Sequence, residues 1–213
     1  MFKKTISTLA ATCFFLIPFS LSPFSMTANA AKIYKTVSYY TLSGTTPAQL
    51  DKALAHKGPY LKSTGSHHPG ATTISFDPRL KLVQNGRYCK VDSVSVDVHA
   101  KMSLPRWKQR ATTKSIEMAL VWDTLSRDIQ RHEESHIVIA RAHASKIERA
   151  VKSLPYRTDC NLLKQDIEKT TYNILTDHEN AQKQFDRAEA VNFDHRFINL
   201  LVARLQRLEQ AKH

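Results

Sequence analysis

The sequence predicts an α+β fold: a small, mostly antiparallel sheet packed on a long antiparallel helical hairpin. Three observations carry this. Residues 31–107 hold mainly strand and turn signals, whereas residues 108–213 hold helical periodicity and no Gly. Val94, Val96, Val98, Ala100 and Met102 alternate with polar residues, the pattern of a half-buried strand. Two long apolar stripes of helical period are separated by one short break at Pro155, which makes the helices antiparallel neighbours.

The elements follow in order. Residues 1–30 begin with Lys3 and Lys4, continue in an uncharged apolar run from Leu9 to Leu21, and end in Ala28-Asn29-Ala30. This reads as a secretory signal peptide cut after Ala30, because the run is too short to anchor the chain in a bilayer. Most of the run follows Cys13, which argues against lipid attachment there. The mature chain, 31–213, is read as one domain, periplasmic or secreted, with no transmembrane segment. Within it, IYKTVSYYTLSG is a strand stopped by Gly44. TTPAQLDKALAHKGP is a short helix, with Pro47 near its start and Gly58-Pro59 at its end. GSHHPG is a loop, and ATTISFDP is a strand ending at Asp77-Pro78. In the main strand, Val91 is out of phase with the alternating set, so a bulge is expected near Asp92-Ser93.

The first long helix carries the stripe Met118, Trp122, Leu125, Ile129, Ala140, Ile147, Val151 and Leu154. The second carries Leu163, Ile167, Thr171, Ile174, Ala181, Phe185 and Ala188, capped by Asp159 or Asn161. HRFINLLVARLQRLEQ is a third helix.

The formal charge of +12, less Lys3 and Lys4, is +10 for the mature chain. An anionic cell-envelope surface is therefore a partner class to consider. However, the basic residues are scattered, which points to solubility and to no specific nucleic acid. Removal of Cys13 leaves Cys89 and Cys160, which in an exported chain most simply form one disulfide.

His132, Glu133 and His136 spell H-E-x-x-H within the first stripe. With 10 His and 8 Glu in 213 residues, chance predicts about 0.02 such matches, so the spacing reads as functional. The two His project from one helix face, one turn apart, as two ligands of one Zn²⁺ require. Glu133 is the expected general base for a water that the metal acidifies. Steps of three and four from Leu125 and Ile129 land on both His, so both face the interior.

A third ligand must come from elsewhere. His143 continues the stripe, but IVIARAH has no Gly or Pro to turn the chain back. On a continuous helix His143 lies about 10 Å from His136. A hairpin centred near Arg157 sets position 178 level with His136, which makes His178 the candidate. Glu179, Asp186 and His195 remain alternatives.

With these motifs in place, the chain resembles a bacterial family of predicted secreted zinc-dependent proteases, a family of unknown function that carries H-E-x-x-H. The matching segments are SYYTLSG, Gly58-Pro59, YCKVDSVSVDVHAKMSLPRW, WDTLSRDIQRHEESH, Cys160 and Phe185-Asp186. The family's pattern continues with Thr and His where this chain has Glu189 and Val191; His195 follows four residues on. The resemblance implies a zinc metallopeptidase, a minimal zincin-like arrangement acting on protein or peptide. The strand around Val94 is expected to hold an extended substrate by edge pairing. The competing readings are a secreted metal-binding interaction module without catalysis, and a cell-wall amidase.

Overall fold

The computed structural model describes residues 31–62 and 64–211. The predicted signal segment lies outside them. The elements are β1 (Ile33–Leu42), α1 (Pro47–Lys57), β2 (Tyr60–Leu61), β3 (Ser66–His67), β4 (Ala71–Asn85), β5 (Tyr88–Trp107), α2 (Ile116–Lys152), α3 (Cys160–Val191) and α4 (Phe193–Gln210). This is the expected α+β class.

The main sheet has the order β1-β5-β4. The β4–β5 pair is antiparallel and the β1–β5 pair is parallel. Thus β5 is the central strand, with Val96, Val98, Ala100, Met102 and Leu104 all buried on one face. On its other face Asp97 is buried and paired with Arg79. The expected bulge is present: Leu82 faces Val91 and Lys81 faces Ser93, so Asp92 is the extra residue. Gly86 turns β4 into β5 at φ +59, a conformation that side chains disfavour.

Two sequence expectations need correction. The strand from Ala71 does not end at Asp77-Pro78 but runs on to Asn85. Pro78 is tolerated because β4 is an edge strand, where a missing N–H breaks no interior ladder. Edge pairing around Val94 also gives way: β1 covers β5 only from Val98 to Trp107, and on the edge before it the Val96 N–H is already taken by Glu148 at 2.8 Å.

Ser115 caps α2 by accepting from the Met118 N–H. The helix then runs for 37 residues, or about 55 Å. Ile129 and Ile137 pack on Ala100, Met102 and Leu104. Ala140, Ala144, Ile147 and Val151 pack on Val91, Val96 and Val98. Asp159 caps α3. Between the helices, Arg157 exchanges backbone hydrogen bonds with Cys89 at 2.7 and 3.0 Å, and Cys89 is bonded to Cys160. The link is therefore drawn past the end of α2 before α3 starts. α4 is tied to α2 by Arg196 on Asp128 and Arg204 on Asp123, at 3.1 and 2.9 Å. No described helix is long and apolar enough to cross a membrane.

Candidate metal centre

That shift at the link decides what meets the motif. Gln182, not residue 178, stands beside His136, and Asp186 faces His132 and His136. Relative to a symmetric hairpin, α3 is offset by four residues, one helical turn. His132, His136 and Asp186 each offer a donor atom within 4.8 Å of the other two. His178 is not in this group. It lies further along, edge-on to His143 with ring centroids 5.4 Å apart, and edge-on to Phe76.

The donor triangle has a definite size. His132 Nε2 is 3.1 Å from His136 Nε2 and 3.4 Å from Asp186 Oδ1, and His136 Nε2 is 3.1 Å from the same oxygen. Ligands at 2.0–2.1 Å from a tetrahedral ion lie about 3.3–3.4 Å apart, so the triangle matches one face of such a tetrahedron. Two imidazoles and a carboxylate are a known catalytic zinc set that leaves a fourth position open.

The outward nitrogens are held from behind. Gln182 Nε2 donates to the His136 carbonyl at 3.1 Å, an atom that can only accept, so the amide orientation is fixed. Its Oε1 must then accept from His136 Nδ1–H at 2.6 Å, leaving the His136 Nε2 lone pair for the cluster. The second Gln182 N–H donates to His178 Nε2 at 2.8 Å. Behind His132, Glu189 places Oε2 3.6 Å from Nδ1. Glu189 is itself held by Arg131 and Arg196, both of which also pair with the buried Asp128.

Charge within the cluster is asymmetric. Burial would raise the Asp186 carboxyl, but the two His hold it well below its ordinary range. Burial would lower His136; its hydrogen bonds to Asp186 and Gln182 outweigh that and raise it. The two shifts share one cause: the Asp186 carboxylate and the imidazolium beside it stabilise each other's charge.

Glu133 is only 4% exposed, yet it lines the same cleft. Thr72 on β4 donates to its Oε2 at 2.8 Å. Gly70 approaches so closely that a Cβ there would fall 2.6 Å from its Oε1. A side chain at residue 70 would thus displace the carboxylate. Burial raises the pKa of Glu133, with Thr72 opposing. Next to it, burial and then the Glu133 charge push the Tyr40 hydroxyl up to about 12, and that hydroxyl donates to the Pro69 carbonyl at 2.7 Å. Glu134 points away and pairs with Lys35 at 3.2 Å.

The remaining candidates lie elsewhere. Val191, at the family's His position, is 85% exposed at the end of α3. His195 is exposed and near Asn199, and Glu179 is exposed on the cleft wall. The cleft measures about 900 Å³ and runs between the start of β4 and the α2–α3–α4 face. Sequence reasoning missed Gly70, Thr72 and Gln182, and gave Glu189 no role. Asp186 was visible in the Phe185-Asp186 pair.

The molecule is thus an α+β protein that carries a histidine–carboxylate cluster in an open cleft. A family profile described as "Bacterial protein of unknown function (DUF922)" matches residues 37–195, most of the chain, and the protein belongs to that family. No curated protein and no solved structure matches it.

Proposed function

We propose that the protein is an exported zinc-dependent metallopeptidase. The observation that carries this reading is the donor triangle of His132, His136 and Asp186, with the buried carboxylate of Glu133 lining the same cleft. His132 Nε2, His136 Nε2 and Asp186 Oδ1 would hold the ion. A zinc ion in such a set supplies Lewis acidity and lowers the pKa of a coordinated water toward about 7.

The chain's own residues supply the rest. Glu133 takes the proton from the attacking water and hands it to the leaving amine. Its raised pKa brings it closer to neutral, where a general base and acid works best. Thr72 and Gly70 fix the carboxylate's place. Gln182 and Glu189 aim the imidazoles. β4, with Ala71, Thr72, Ile74 and Phe76 on the cleft wall, is the edge strand beside the centre. It takes the substrate-pairing role first expected of β5. Export is supported by the N-terminal composition and by the disulfide, which persists in oxidising compartments.

The test is Glu133→Gln in zinc-loaded protein. Zinc content should hold at about one per chain, because Glu133 is outside the donor set. Peptide hydrolysis should fall by about 10²-fold or more. Glu134→Gln should change neither. Zinc retention with no hydrolysis of any peptide by the unmodified protein would move the assignment to a metal-binding interaction module.

A further inference from the structure

A second cavity, of about 590 Å³, opens beside the metal cleft and is walled by α1, α2 and α4. Leu54, Trp122, Leu125 and Phe197 line it, and Ile129 and Phe193 belong to both cavities. Pro69 is also shared. Among its described lining residues only Asp51 and His67 titrate and none is a Lys or Arg, although the chain is strongly basic. Ile129 precedes His132 by three residues, about 4.5 Å along the helix axis. The chamber therefore begins within one side chain's reach of the donor triangle.

We infer that this chamber receives a bulky apolar side chain, aromatic or long aliphatic, of a peptide whose backbone lies in the metal cleft. The inference rests on the peptidase reading for the fate of that peptide. The wall shared by the two cavities argues for one ligand spanning both. An extended peptide has both parts: backbone groups that meet the β4 edge, and a side chain that turns into the chamber. An acyl chain has no partner for the β4 edge. A charged side chain would lose its hydration against the Leu54, Leu125 and Phe197 walls with no opposite charge beyond Asp51 to receive it.

Ala55 gives access for a test. It lines the chamber from the exposed side of α1, so enlarging it fills space without entering the core. The Glu133→Gln protein, loaded with zinc, would be titrated calorimetrically with blocked hexapeptides carrying a central Phe or Ala, and with decanoate. The Phe peptide should bind at least about tenfold more tightly than the Ala peptide. Adding Ala55→Trp, or Ala55→Asp, should bring that ratio near one, with the circular dichroism spectrum unchanged. A ratio near one in the parent protein, or one that neither Ala55 variant alters, would overturn the inference. So would decanoate binding that depends on Ala55 while neither peptide binds. If unmodified protein cleaves no peptide but the Phe preference and its Ala55 dependence are found, the peptidase reading fails and the chamber stands. If peptides are cleaved without apolar preference, the reverse holds.

Discussion

Two histidine pairs lie along the α2–α3 interface, about two helical turns apart, and they face different surroundings. His132 and His136 look onto Asp186 and an open cleft. His143 and His178 look onto each other, and His178, further along the same cleft, also meets Phe76 edge-on. In the first pair the Nε2 atoms converge at 3.1 Å and the outward nitrogens have partners behind them. In the second, His143 Nδ1 donates back to the Ile139 carbonyl at 2.8 Å, within its own helix. The first is i,i+4 on one helix, so one face aims both rings at a point. The second pair sits on two helices, with no carboxylate between the rings. Residue type and depth are shared; convergence and a facing carboxylate are what make a candidate ion site.

The largest expected difference follows directly. His132→Ala, His136→Ala and Asp186→Asn should each abolish stoichiometric zinc, measured by elemental analysis after dialysis, whereas His143→Ala and His178→Leu should retain about one zinc per chain. Loss of zinc in His178→Leu with retention in Asp186→Asn would move the third ligand from Asp186 to His178.

A third ligand at His178 is what the sequence suggested, and the cause of the difference is physical. A symmetric hairpin centred near Arg157 sets residue 178 beside His136. The real link does not turn symmetrically, because Arg157 first pairs with Cys89 and Cys160 is bonded to it. That contact spans some 70 residues in the chain, and no local period encodes it. The motif His pair, the alternation of β5 and the bulge at Asp92 were legible, because each depends on neighbours a few residues away. Gly70 and Thr72 were not. Their roles arise only when the start of β4 is laid against Glu133, sixty-odd residues later.

Gln182 joins the two pairs, so altering it sharpens the contrast. Gln182→Leu removes the acceptor for His136 Nδ1–H and leaves the His136 carbonyl without its amide. Outer partners of this kind are worth about 10–100-fold in metal affinity, and competition with a chelating dye should show a loss of that size. His178→Leu removes only one of the hydrogen bonds that orient Gln182, so its loss should stay below tenfold. Equal losses in the two variants would mean that His178, rather than the His136 carbonyl, sets the amide orientation.

The smallest effect concerns proton binding by the second pair. Burial is the main cause that lowers the His178 pKa, and His143 and His136 on α2 add to it; Glu179 on α3 opposes, and Phe76 on β4 carries no charge. The unfolded chain's His titrates near about 6.5, so just below that pH the unfolded state takes up a proton that folded His178 refuses. Stability must then fall as pH drops through the unfolded pKa, and this contribution levels off below the folded one. For a single group the slope is at most about 1.4 kcal/mol per pH unit. Urea unfolding of chelator-treated protein at several pH values between 7.5 and 5 would measure it, with metal release removed from the balance. His178→Leu loses this group, so its stability should decline less steeply than that of the unmodified protein across this range. Parallel curves for the two proteins would show that His178 takes up its proton as readily folded as unfolded, and the second pair would then be solvated rather than buried.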